Sequence, residues 1–118
     1  MPPLDDARSI VIARLNDEFR TELLINTPLN CQLVLSRYVG MLATDQIDTL
    51  LDLVRKFDVF NEENDPWGEH DFGSVTMDGT QYFWKIDYFD LAKEYLSIDA
   101  TRPDITVRVL TVMLAEEY

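Results

Sequence analysis

The chain predicts a single α+β domain: about three helices packed with a small antiparallel sheet of one strand plus a β-hairpin, in the order α-β-α-β-β-α. Three observations carry this. Apolar residues recur at helical spacing in two long stretches, and an Asp-Gly pair at 78–79 sits between two β-rich runs. No repeat, low-complexity tract or linker interrupts the 118 residues, a length at which one domain buries a real core without disulfides or metal.

The first helix is expected from about Asp6 to Leu23. Val11, Ile12, Leu15 and Phe19 fall on one face, with Asp5 or Asp6 as the cap. Asn26-Thr27-Pro28 ends it, because proline cannot continue the ladder and restrains the residue before it. Cys31 to Ser36 (CQLVLS) reads as a short strand, reaching no further than Val39 before Gly40 breaks it.

The second long helix begins at Thr44 as cap, with Asp45 in the first turn, where the helix dipole favours an acid. Ile47, Leu50, Leu51, Val54 and Phe57 form its apolar stripe.

The hairpin fixes a register. Asp and Gly both tolerate the positive φ of a tight type I′ turn, so Asp78-Gly79 as the two loop residues puts Met77 opposite Thr80. Val75 then faces Tyr82, Gly73 faces Trp84, and Asp71 faces Ile86. On the other face Thr76 meets Gln81, Ser74 meets Phe83, Phe72 meets Lys85, and His70 meets Asp87. Gly73 leaves room for the Trp84 indole on an inner face that also carries Val75, Met77, Tyr82 and Ile86. The tail, DITVRVLTVMLAEEY, is rich in β-branched residues. Its polar positions Asp104, Arg108, Thr111 and Ala115 nevertheless recur at helical intervals after Pro103, so a closing helix is expected.

Charge is the compositional outlier. Twenty-two acids against ten bases leave a formal net charge of −12. Nucleic acid and anionic membrane surfaces would be repelled, so neither is an expected direct partner. Seven acids (Asp58, Glu62, Glu63, Asp65, Glu69, Asp71, Asp78) lie between positions 57 and 84 with no Lys or Arg among them. Acidity of this kind serves solubility; it also suits a carboxylate-rich face that docks on a basic partner, imitating a phosphate backbone. The single cysteine, Cys31, cannot form an intrachain disulfide and suits a reducing cytoplasm. The N-terminal MPPLDDARS is acidic before any apolar run, unlike a secretory signal, and no stretch is apolar for long enough to span a bilayer.

The segment Asn64–Gly73, NDPWGEHDFG, concentrates the chemistry, including the only histidine. A metal site is not expected. Glu69, His70 and Asp71 are consecutive and alternate faces on a strand, and one His with one Cys is a poor ligand supply. No cofactor motif is present, neither a phosphate-binding glycine loop nor a dinucleotide fingerprint. As an enzyme, a hydrolase or nucleotide-modifying activity would use His70 with Asp87 as its orienting acid. Ser74 on the same face is about 7 Å along, too far to be activated.

The structural reading is that His70–Asp87 pins the acidic loop to the hairpin beneath Trp67, Phe72 and Phe83. If those aromatics instead stand exposed, they anchor an interface. The candidate binding residues are Asp58, Glu62, Glu63, Asp65, Trp67, Glu69, Asp71, Phe72 and Phe83.

The blocks Leu15-Asn16-Asp17-Glu18-Phe19-Arg20, NDPWGEHDFG, FWKIDYFD and RVLTVMLAEEY together resemble a family of small bacterial proteins of unknown function, over about Leu15 to Tyr118. Phe89 stands where a second tyrosine is common in that family. The resemblance carries no activity across. It implies short stand-alone genes of the kind that travel on plasmids and phages, where acidic proteins sometimes inhibit host defence nucleases. The expected function is therefore a small acidic binding or inhibitor protein that occupies a basic surface of a protein partner. The enzyme using His70 and Asp87 is the alternative, and a structural homo-oligomer subunit the third reading.

Overall fold

The computed structural model describes residues 3–118, with side chains from Ala7 onward. Helix α1 (Pro3–Thr21) leads through a turn to strand β1 (Cys31–Leu35), a one-turn helix α2 (Arg37–Gly40) and helix α3 (Thr44–Arg55). The hairpin β2 (Phe72–Met77) and β3 (Thr80–Phe89), then β4 (Val107–Leu114) and a short 3₁₀ turn (Ala115–Glu117), complete the chain. The α+β class is as the sequence predicts. The sheet is larger than expected: four strands in the order β1-β4-β3-β2, with β1 parallel to β4 and the other pairs antiparallel.

The added strand is the tail, which does not close as a helix. β4 lies between β1 and β3, and Val107, Leu110, Val112 and Met113 are all buried. A central strand packed on both faces loses the alternation that identifies a strand, so its polar positions fell at helical intervals by coincidence. Its β-branched content was the better guide. Pro103 lies in the turn before it and starts no helix.

The hairpin register is the predicted one from Phe72↔Lys85 to Met77↔Thr80, closed by Asp78 and Gly79 at φ 52° and 77°. The Ile86 N–H donates to the Asp71 carbonyl at 2.9 Å, extending the alignment one residue further. There it stops, because His70 adopts φ 55° and turns the chain off the sheet.

α1 starts earlier than expected, at Pro3, and the proposed caps Asp5 and Asp6 have side chains outside those described. β1 ends at Leu35 because Ser36 caps α2, its Oγ accepting the Val39 N–H. For α3 the cap is Ala43, and Thr44 is the first helical residue; the Gln46 side chain accepts the Ala43 N–H at 3.1 Å.

One face of the sheet, built from Val75, Met77, Tyr82, Trp84, Ile86, Leu110 and Val112, packs with Phe19, Leu23, Val39, Leu50, Leu51 and Val54 from the helices as the core. The opposite face carries Phe72 and Phe83, over which Tyr118 folds with ring centroids 5.8 and 5.6 Å away.

Candidate functional site

The loop from Phe57 to Asp71 joins α3 to β2 and is built by its own polar side chains. Asn61 Oδ1 accepts the N–H groups of Glu63 and Asn64, while Asn64 Oδ1 accepts that of Asn61. Further on, Asp65 turns inward and its Oδ1 accepts the N–H groups of Glu69 and His70 at 3.0 and 3.1 Å. Asx side chains that bond the backbone a few residues on are a standard way to fix such turns. Gly68 supplies one left-handed residue (φ 69°) and His70 the other.

His70 does not meet Asp87. Its Nδ1 lies 3.0 and 3.1 Å from the two carboxylate oxygens of Asp17 on α1, and its Nε2 faces buried Asp65 at 3.8 Å. The imidazole stacks on Phe60 with centroids 3.9 Å apart and planes 2° from parallel. On the buried side the Arg20 guanidinium lies over the rings of Phe60 and Trp84 and donates to the carbonyls of Val54 and Arg55 at the C-terminal end of α3. A cation there satisfies orphan carbonyls and complements the helix dipole. Asp87 is paired with Lys85 at 2.7 Å, where the sheet register places both side chains on the face away from the helices.

A second polar cluster backs the loop. Asn16 donates to the Glu69 carbonyl and to Tyr88 Oη, Tyr88 Oη donates to Glu69 Oε1, and Arg108 Nε donates to Asn16 Oδ1. Arg108 also donates to the Ala100 carbonyl. Burial, then Asp71 and Glu69, push the Tyr88 phenol up, so it stays a donor. Beside it the Asp71 carboxyl is pushed up to about 6, first by burial and then by Glu69 and Asp65.

The nine candidate binding residues therefore divide. Asp58, Glu62, Glu63 and Trp67 face solvent, with Trp67 67% exposed. Asp65 works inside the loop, and Glu69 and Asp71 are half-buried against the polar cluster. Phe72 and Phe83 pair with each other and with Tyr118 on the opposite face of the sheet, so they neither cover the histidine nor join Trp67.

Residues the sequence reading passed over hold the site together: Asn16, Asp17, Arg20, Phe60, Tyr88 and Arg108. One signal was available. Asn16 falls on the stripe Ile12, Phe19, Leu23, and a polar residue at a core position must have a buried partner.

His70 and Asp17 border an open groove of about 530 Å³ with Ile10, Ala13, Arg14 and Gly68. Among the described residues no hydroxyl or thiol bonds to His70. Cys31 sits in a separate depression with Arg108, and burial pushes its thiol up to about 11. No group of three His, Cys, Asp or Glu side chains among the described residues could hold a metal ion. The His70–Asp17 contact ties the 57–71 loop to α1.

A family model described as a protein of unknown function (DUF3768) matches residues 35–117, more than two thirds of the chain. The chain belongs to that family. The match spans the loop, the hairpin and β4, and it begins after α1, which contributes Asn16, Asp17 and Arg20. No curated protein and no solved structure matches the chain. No helix among the described residues is long and apolar enough to cross a membrane.

Proposed function

We propose that this protein is a small acidic binding protein of the cytoplasm that docks on a basic surface of a macromolecular partner and acts as an inhibitor or adaptor. The supporting observation is the uneven use of charge. Among the described residues Arg8, Arg14, Arg20, Arg55, Lys56, Lys85 and Arg102 are each ion-paired within the protein. Arg108 is buried. Asp58, Glu62 and Glu63 make no such pair, and they share a hydrogen-bonded loop with exposed Trp67. Uncompensated carboxylates on an ordered backbone steer a basic partner, and an exposed indole is a strong anchor once desolvated.

A basic nucleic-acid-binding protein is the partner class that suits this face, with the carboxylates standing where phosphates would. Within the loop, Asp58, Glu62 and Glu63 are the exposed acids, whereas Asp65 is buried and Glu69 and Asp71 are half-buried.

The experiment is affinity capture from a bacterial lysate with the wild-type protein and with an Asp58→Asn, Glu62→Gln, Glu63→Gln variant. The expected result is a basic partner retained by the wild type and lost with the variant. Equal retention by both would remove the charge argument.

A further inference from the structure

The connection from β3 to β4, residues 90–106, inverts the usual partition of side chains. Its small and polar residues point inward. Ser97 Oγ and Thr106 Oγ1 are 2.6 Å apart, Thr106 Oγ1 donates to the Asp99 carbonyl, and the buried Ala100 carbonyl accepts from Arg108. Its large apolar residues point out. Leu91, Tyr95, Leu96 and Ile98 are exposed, Leu96 at 73% and Ile98 at 92%.

The backbone is fastened beneath them. The Asp90 N–H donates to the Tyr95 carbonyl, Ser97 N–H to Tyr88, and Lys93 N–H to Asp90, with Phe89 bridging Leu96. Arg8 of α1 ties the far end through Asp99 at 3.2 Å. A fastened loop holds this apolar display in place whether or not anything covers it. Leu91, Tyr95, Leu96, Ile98 and Ile105 surround one shallow depression of about 520 Å³. Ordered apolar clusters of this kind mark interaction surfaces.

We propose that this depression is a second docking site, distinct from the acidic 58–63 turn, and that it receives an apolar side chain standing on a basic protein segment. The rim selects that occupant. Asp90 borders the depression and Glu94 rises from the same turn, and neither is ion-paired among the described residues. Exposed Lys93 between them reaches away to Gln32 Oε1 at 3.3 Å and leaves the turn with one net negative charge. The nearby Arg102 is already matched to Asp104 at 2.8 Å. A second copy of this chain carries the same net charge of −12 and the same unpaired Asp90 and Glu94, and an anionic membrane would meet the same repulsion.

The test titrates isotopically labelled full-length protein with an amphipathic Leu/Lys peptide of about 15 residues and with its Leu/Glu counterpart, and maps amide shifts. The Leu/Lys peptide is expected to shift residues around Leu91, Tyr95, Leu96 and Ile98. A Leu96→Ser, Ile98→Ser variant, changed only at exposed positions, should bind it about tenfold more weakly or worse. Glu62→Gln, Glu63→Gln should alter this binding less than about twofold, which separates failure of this site from failure of the acidic turn. Four results would overturn the proposal: shifts confined to other surfaces, equal binding of the Leu/Glu peptide, a dimer that the Leu96→Ser, Ile98→Ser variant abolishes, or preferential binding to phosphatidylglycerol vesicles.

Discussion

His70 Nδ1 lies 3.0 Å from Asp17 Oδ2, across 53 residues of sequence, and this contact joins the acidic loop to the first helix. Its neighbours explain why one histidine suffices. Phe60 stacks on the ring, Asp65 holds the His70 amide from below, and Arg20 anchors Asp17 from the buried side at 3.2 Å. Removing the imidazole should therefore loosen the whole 57–71 loop.

Replacing His70 with Ala is expected to lower stability to urea by about 1–2 kcal/mol, the range for losing one charge-assisted contact and its packing. Both partners are partly exposed, so a cycle with Asp17→Asn should show a coupling of about 0.5–1 kcal/mol. Independent, additive effects would mean that the contact contributes nothing.

Gly73 has no room for a side chain. A Cβ there would lie against the Trp84 indole nitrogen, 2.7 Å from Trp84 Cε2 and 2.9 Å from Phe57 Cε1. Trp84 is fully buried and held edge-on by Phe57 and Phe60, so it cannot move aside. Gly73→Ala should cost about 1–3 kcal/mol by overpacking, read as a lower thermal midpoint. Gly40→Ala, at a position with open space around it, is the control and should be near neutral.

Asp71 sets a pH dependence. The folded protein holds the Asp71 proton up to about 6, whereas the unfolded chain releases it near 3.8. Between those values the native state binds more protons, so the Asp71 contribution to stability falls as pH rises through the window and is fully unfavourable above it. Asp71→Asn should remove that penalty. The gain at neutral pH is about 1–2 kcal/mol after allowing for solvent screening of a half-buried group, and it vanishes below the unfolded value. Urea midpoints at several pH values decide it. A variant no more stable at pH 7 would show that Asp71 ionises without strain.

The parts of this fold that are written locally were legible. Asp78-Gly79 dictates a tight turn, and six cross-strand pairs follow from it without any knowledge of the rest of the chain. The α3 stripe is equally local: Leu50, Leu51 and Val54 are spaced to face one way, and all three are buried.

The rest depended on distant partners. β4 is a strand because β1 and β3 flank it, and neither neighbour is visible in VRVLTVML itself. Extending the hairpin register by one residue too many placed His70 opposite Asp87. The left-handed backbone at His70, set by hydrogen bonds to Asp65, sends the ring to α1 instead. Glycine is the usual occupant of such a conformation; histidine tolerates it better than most residues, but nothing in the local sequence marks this one as left-handed.

The salt dependence of partner binding tests the functional proposal most directly. The basic protein captured by the wild type should lose at least about tenfold in affinity as salt rises from about 0.05 to 0.5 M, and Asp58→Asn, Glu62→Gln, Glu63→Gln should reproduce much of that loss at low salt. An affinity that stays constant across the range, with the triple variant binding as well as the wild type, would contradict charge-driven docking by this loop.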